Sequence, residues 1–567
     1  MFTFTKPELK AVCLQLYGMA TKRPKKKSKS DPALALLDWV RSIEGGSVGQ
    51  VEVRSDPSLG RGLWATADMA AGDCLFEVPS ACVLTTDVAL RSPIGRQLAA
   101  ACRIVRATSD SSAVRVIAEG GGEGEGAAGA GAAGAVSGCD DDDGKPELTE
   151  RSVLYAYLLA TKHCAGRAAG GAHAPYVRCL PRLFSTPFSW RDELALLPDP
   201  MSGPEHDDHE GVDLVSELGA IGRHLQAQYQ TARAALAAAA AAAAAGGTES
   251  GDGLALLRSG KLSAREWLWA HQAYSSRCFP RACLAHGSSD GSGGGGGEDE
   301  EGEDGILVPL LDICNSVEEG NHISWQWEQP EGQRPGRGRG RATLGCAVRA
   351  GEQLFLRYGR VGNSALLACY GYCRWDNPSE KVALWLSALR RLSRNEACAE
   401  SNARTLRAFQ DFARRGGGEE VCGLKFELTL ADPLPTRLLD AARICCGGPA
   451  AAGGSCGSDG GSGSEAVDDA AACGYVRELL REARAQVLGA GENAEEELAA
   501  AVVEWRARDD GSTVRLAGGG GAVTSYACSA EACALAFRHS QLVVLSAAQE
   551  ALAAKDDERG KITRASS

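Results

Sequence analysis

Short apolar runs with two-residue alternation appear once the chain passes residue 50. Residues 51–53, 62–66 and 74–78 read as strands, separated by turn formers at 55–60 and 71–73, so this stretch is a small β-meander. Ahead of it, residues 1–30 carry no sustained periodicity and are expected to be disordered. Asp31 can cap a short helix over 32–43. Beyond residue 149 the apolar period lengthens to that of helices, over 150–163, 176–197 and 211–245. The last ends in a run of alanine with no apolar face to bury, which predicts an exposed extension. Ser263-Ala-Arg-Glu266 is a capping box opening a helix that reaches about residue 279. Strand-like text returns at 306–313, 322–327, 343–348 and 353–358, and a helix at 364–370 closes the block. After residue 376 the chain reads as almost wholly helical.

This order predicts an α+β protein, with a β-rich core interrupted by a helical insertion and followed by an all-α C-terminal domain. The boundaries read as an arm at 1–45, a core at 46–375 with its insertion at about 92–280, and a helical domain at 376–560. Glycine, alanine and acidic residues concentrate at 119–145, 234–253 and 286–305, and a Gly/Ser linker lies at 447–464. These are inserts rather than core.

The 567 residues carry 60 basic and 73 acidic side chains, a net charge of −13, which argues against bulk binding to nucleic acid. The 21 cysteines include no CxxC pair and sit mostly in apolar segments, so they read as reduced thiols rather than a zinc cluster, and no metal is expected. His206-Asp-Asp-His209 has metal-like composition but no further ligand nearby. The longest apolar run falls short of the ~20 residues a membrane helix needs, so no membrane segment is expected. The basic cluster 22–29 reads as a solvated arm before it reads as a nuclear-import signal. An intracellular compartment is expected, cytoplasm or nucleus, with nothing that excludes a plastid.

Chemistry concentrates in Val308-Pro-Leu-Leu-Asp312-Ile-Cys-Asn315-Ser316, Ala350-Gly-Glu-Gln-Leu-Phe-Leu-Arg-Tyr358-Gly359 and Asn363-Ser-Ala-Leu-Leu-Ala-Cys-Tyr370-Gly-Tyr372. Strand periodicity puts Leu354, Leu356 and Tyr358 on one face. Asp312 and Asn315 end an apolar run, so their polar groups need partners. Local chemistry alone favours a core tyrosine at 358 and a turn-forming asparagine at 315.

Together, in this order, these stretches resemble the SET-domain methyltransferases, in the branch with a long helical insertion that includes the Rubisco large-subunit lysine methyltransferase. Gly60-Arg-Gly62-Leu-Trp-Ala-Thr66, Pro175-Tyr…Leu-Pro181…Trp190, Ser275-Ser276-Arg277-Cys-Phe279 and Phe426…Pro433-Leu-Pro435 match further motifs of that branch, over about residues 47–555. The resemblance implies a SET core with knot-like threading, a C-terminal substrate-binding domain and S-adenosyl-L-methionine as cofactor. It implies Tyr358 as the catalytic residue and Gly60, Arg61, Gly62, Ser276, Arg277, Asp312, Asn315, Ser316 and Tyr370 as cofactor-binding. Tyr370 and Tyr372 would line the acceptor. The implied partner is a protein presenting a lysine, met by a monomer. Three positions depart from the pattern: Ser316 stands where the branch carries histidine, Leu59 where glutamate is frequent, and Tyr372 where phenylalanine is usual. Ser316 supports the alternative of a catalytically weak scaffold that binds a protein partner. The Arg-Gly run 334–341 suggests an RNA contact, although a solvated hairpin loop suits its place between two strands better.

Overall fold

The computed structural model describes residues 6–17, 32–56, 59–105, 145–164, 172–198, 214–245, 252–281, 305–317, 320, 322–328, 338–393, 399–415, 423–446, 462–489, 491, 493–508, 513–517 and 523–566. Residues 22–29, 119–144, 206–209, 286–304, 334–337 and 447–461 of the sequence reading lie outside the described residues.

Two four-stranded sheets form the core. One runs β1 (Ser47–Val48), β4 (Cys74–Pro79), β11 (Arg339–Leu344), β10 (Ile323–Glu328). The other runs β2 (Val51–Asp56), β3 (Gly60–Ala65), β12 (Gln353–Leu356), β9 (Asn315–Ser316). Asp56 Oδ1 accepts from the Leu59 amide at 2.8 Å and Gly60 takes φ +74°, so the β2–β3 turn closes on glycine. Every residue of β12 is buried, as a strand enclosed on both faces requires. It lies between an early strand and β9, so distant parts of the chain thread through one sheet.

Residues 306–313 depart from the strand expectation. Only β8 (Ile306–Leu307) is extended, paired with β7 (Cys278–Phe279), and a single tight turn over Leu311–Ile313 follows. The reason lies at Leu310, which is fully buried with φ 73° and ψ −46°, a left-handed turn that no strand can continue.

The insertion packs against the core through helix Glu150–Cys164, buried from Ser152 to Thr161, and helix Ala264–Ser275, in which Trp267 and Tyr274 are fully enclosed. Ser263 caps the latter by accepting from the Glu266 amide. Residues 176–197 are less regular than expected, with one helix, Ala174–Cys179, followed by single turns. The alanine-rich helix Leu214–Ala245 does bury one face, at Ala232, Ala235 and Leu236, while residues 237–242 are exposed or half-exposed. The arm is also corrected: helix Lys6–Tyr17 buries Leu9, Cys13 and Leu16, because its apolar positions fall at helical spacing. Helix Pro32–Ser42 follows with Leu36, Leu37 and Val40 inward.

The C-terminal region is mainly helical, with Leu480, Val544 and Leu545 fully enclosed among Ser462–Leu488 and Ala530–Ser566. It is not all-α. β14 (Lys381–Ser387) pairs with β15 (Gly423–Thr429), and the hairpin β16 (Thr513–Ala517)–β17 (Val523–Ala527) pairs with β13 (Cys373–Arg374). These strands alternate apolar and polar positions around Gly-rich turns, a period the helical reading overrode. Among the described residues no helix is long and apolar enough to cross a membrane.

A buried polar node ties this region to the core. Glu380, 1% exposed, accepts from Ser540 Oγ at 2.7 Å and from the amides of Asn363 and Lys381 at 3.2 Å. Burial pushes its carboxyl up to about 7, against the opposing pull of those donors. The folded chain then holds a proton that the unfolded chain loses near pH 4.5, so stability falls as pH rises between those values. The expected loss is about 3 kcal/mol, from ~1.36 kcal/mol per unit. Urea denaturation near pH 5 and near pH 8 checks it: the native chain weakens at the higher pH, and Glu380→Gln flattens the dependence.

Candidate active site

The strained turn at Leu310 delivers Asp312 into the interior, where its side chain has no exposure. Two long side chains of the insertion meet it there. Tyr176 Oη donates to Asp312 Oδ2 at 2.8 Å, and Arg277 Nη1 reaches the Asp312 backbone oxygen at 2.6 Å and Oδ2 at 3.2 Å. Burial drives the Asp312 carboxyl above its ordinary value while Arg277 pulls it down. Burial likewise opposes the charge on Arg277, but Asp312 outweighs it and holds the guanidinium charged. Arg277 Nε, Asp312 Oδ1 and Gln353 Nε2 are buried without a partner among the described residues.

Three residues on, the chain enters β9, which lies parallel to β12 with Asn315 opposite Phe355 and Ser316 opposite Leu356. The Val317 amide extends the ladder to Leu356 O at 3.0 Å. This pairing brings Tyr358 over the Asp312 turn. Its amide donates to Ser316 Oγ at 3.1 Å and its hydroxyl to Cys314 O at 2.7 Å. Burial pushes the Tyr358 hydroxyl well above its usual range, so it stays neutral, and Arg277 only partly offsets this. A hydroxyl that donates to a carbonyl keeps lone pairs to accept an N–H from a neighbour.

Tyr370 and Tyr372 stand on either side of Gly371, which ends the π-type turn Leu366–Tyr370 at φ +78°. A Cβ at Gly371 would meet the backbone of Ser185 and Thr186 at 2.8–2.9 Å, so only glycine allows the insertion this close. The rings form a row: Tyr358–Tyr370 at 5.0 Å between centroids, Tyr370–Tyr372 at 6.2 Å and Tyr372–Tyr526 at 5.5 Å. Tyr526 comes from β17, and its hydroxyl donates to Ser316 O at 2.9 Å. A small cavity opens between Ser316, Tyr358, Tyr372 and Tyr526, with Arg374 also at its wall.

The structure thus gathers Arg277, Asp312, Asn315, Ser316, Tyr358, Tyr370 and Tyr372. Gly62 joins them by close approach, since a Cβ there would meet Gln353 Nε2 at 2.2 Å and Asn315 Nδ2 at 3.2 Å. Asn315 Nδ2 holds only a long contact, 3.5 Å, to Leu59 O. Gly60 serves the hairpin turn instead. Two expected cofactor ligands are engaged within the chain, although Arg61 stays close enough to Asp312 to help lower its carboxyl. Arg61 binds Cys179 O and Cys179 Sγ, the latter at 3.0 Å, and clamps β3 to the insertion. Ser276 Oγ turns back to Gln272 O at 2.6 Å, a carbonyl that also accepts the Ser276 amide at 3.2 Å. His322 lies just ahead of β10, and its Nδ1 accepts from the Phe355 amide at 3.3 Å.

Sequence reasoning missed Tyr176 as the partner of Asp312, and it missed Tyr526 and Arg374. The signal for Tyr526 was present: two alternating runs around a Gly-rich stretch at 513–527 describe a hairpin.

Removing the carboxylate leaves Arg277 buried without its counter-charge. Asp312→Ala is expected to cost about 3–5 kcal/mol of stability, against about 1 kcal/mol for Tyr176→Phe, which loses one neutral donor. Equilibrium denaturation of both variants measures the difference.

No family model matches the chain, and no curated protein matches it in sequence. Solved structures do match. The SET domain of LSMT bound to lysine and AdoHcy superposes with a TM-score of 0.58 at 15% identity, covering 94% of each chain. Rubisco LSMT bound to AdoMet gives 0.55 at 14% identity, and the same protein bound to sinefungin and monomethyllysine gives 0.55 at 15%, again with 94% of each chain covered. The chain therefore has the SET methyltransferase fold of these structures, insertion and C-terminal region included.

Proposed function

We propose that this chain is an S-adenosylmethionine-dependent protein-lysine methyltransferase acting on a non-histone protein, as an intracellular monomer. The observation that carries this reading is the Tyr358 hydroxyl, fixed on Cys314 O beside a cavity walled by tyrosines. The fold it shares with structures that hold AdoMet, AdoHcy and lysine supports it.

The residues present fit the cofactor. Arg277 Nε, Asp312 Oδ1 and Gln353 Nε2 are buried polar atoms without partners among the described residues, and Asn315 offers a loosely held amide beside Gly62. These four side chains would hold its amino-acid and nucleoside groups. When bound, S-adenosylmethionine supplies a methyl group already activated by its sulfonium. The chain's own residues then have three tasks. Tyr358 accepts an N–H of the incoming amine and turns the nitrogen lone pair toward the methyl; such alignment contributes several kcal/mol, within the ~7–11 that orientation can supply. Tyr370 and Tyr372 exclude water around it. Tyr526 holds the Ser316 carbonyl, and with it the strand on which Tyr358 rests.

Ser316 stands in place of the family histidine, and its side chain accepts the Tyr358 amide, a structural task that serine performs directly. That favours an active enzyme over a scaffold, the second reading. The acceptor protein is a proposal of class only, one that presents a lysine.

Tyr358→Phe is expected to lower transfer of labelled methyl groups to proteins of a cell extract by at least about 100-fold, with S-adenosylmethionine affinity by calorimetry changed less than about threefold. Unchanged turnover rules out the role given to the hydroxyl. A native chain that binds no S-adenosylmethionine at millimolar ligand favours the scaffold.

A further inference from the structure

The Asp312 carboxylate is used unevenly. Both side-chain donors converge on Oδ2, Tyr176 Oη at 2.8 Å and Arg277 Nη1 at 3.2 Å, while Oδ1 is buried without a partner among the described residues. A carboxylate accepts through both oxygens, so an enclosed oxygen with no donor points to one supplied from outside the chain. The side chain has no exposure, so bulk water does not fill that role.

The two donors do different work. Arg277 makes its shorter bond to the Asp312 backbone oxygen, at 2.6 Å, and its longer one to the carboxylate. The shorter bond to the carboxylate is that of Tyr176. Tyr176 is 1% exposed and stands on helix Ala174–Cys179, where Ala174, Val177 and Cys179 are buried as well. Three residues on, Cys179 takes Arg61 through its backbone oxygen and Sγ, which ties the same helix to β3. The tyrosine therefore reaches Asp312 from a fixed base. Burial pushes its hydroxyl well above the usual range, so it remains a donor. Burial also raises the Asp312 carboxyl, while Arg277, the Tyr176 hydroxyl and Arg61 favour its ionised form.

The other orphan of this pair has the opposite sign. Arg277 Nε is a buried donor without a partner among the described residues. An open acceptor on the anion and an open donor on the cation, on side chains bonded to each other, match a zwitterion. The ammonium suits Asp312 Oδ1 and the carboxylate suits Arg277. The amino-acid end of S-adenosylmethionine is such a group, and the uncharged amides of Gln353 and Asn315 suit its nucleoside.

We propose that Tyr176 is a positioning residue for the cofactor, its hydroxyl holding Asp312 so that Oδ1 receives the ammonium of the amino-acid end. This rests on the methyltransferase reading, which supplies the cofactor. Without the hydroxyl the carboxylate keeps only the longer contact to Arg277, and rotation about its last bond leaves neither oxygen set for the ammonium.

Calorimetry on the full chain with two ligands tests this. One is S-adenosylhomocysteine; the other is its deaminated analogue, which keeps the carboxylate and the nucleoside and lacks the ammonium. The native chain should bind S-adenosylhomocysteine at least about tenfold more tightly than the analogue, as one charge-assisted hydrogen bond allows. Tyr176→Phe keeps the ring and its packing. It should weaken S-adenosylhomocysteine about tenfold and the analogue less than about twofold. A tyrosine that only supports the fold would weaken both ligands alike, so equal losses overturn the assignment, as does a variant that binds both like the native chain. Equal native affinities for the two ligands take the ammonium away from Asp312 and leave the methyltransferase reading standing. A native chain that binds neither ligand removes the cofactor site, and with it both this inference and that reading.

Discussion

The site depends on the parallel pairing of β9 with β12. Two short strands, separated by a long stretch of chain, lie side by side for only two residue pairs, Asn315–Phe355 and Ser316–Leu356. That register places the Tyr358 amide on Ser316 Oγ and the Tyr358 hydroxyl on Cys314 O. Strand geometry makes the placement unforgiving, because a slip of one residue would turn every side chain to the opposite face. Gly62 is part of the same constraint. A Cβ there would displace the Gln353 amide and crowd that of Asn315, so glycine leaves both amides where they stand.

Around this pairing the chain tolerates features that do not favour folding. An arginine–aspartate pair sits in the interior, with a leucine in a left-handed turn just before it. Buried ion pairs contribute little net stability, and a strained backbone of this kind costs about 1–3 kcal/mol. Both occur at the one place where β9, the insertion and Tyr358 converge, which is where a binding site gains from polar groups held in fixed directions. The C-terminal region contributes Tyr526, paired with Arg374 of the core, so the cavity is built by parts of the chain that are far apart in sequence.

Much of this was legible in the residues. Strand periodicity in 353–358 put Tyr358 on the apolar side, and the need of Asp312 and Asn315 for partners followed from their place at the end of an apolar run. Ser316 drew attention as a departure from histidine, and the structure gives its hydroxyl a task through the Tyr358 amide. What failed to show was of two kinds. Long-range partners such as Tyr176 for Asp312 carry no local mark, since a hydroxyl next to proline looks the same whether or not a carboxylate waits across the core. Local marks were also overridden: the alternation in 513–527 lay within a helical context, and Leu310 interrupted a run that hydropathy alone continues as a strand. Motif position put Arg61 and Ser276 in the site; their hydrogen bonds run to Cys179 and Gln272, with Arg61 still acting on Asp312.

The most direct measurement is a crystal structure of the full chain with S-adenosylhomocysteine. The account predicts ligand density bounded by Asn315, Gln353 and Arg277, with the Tyr358 hydroxyl still on Cys314 O and facing the sulfur. Density on another face of the molecule, or a Tyr358 hydroxyl turned away from both, would contradict it.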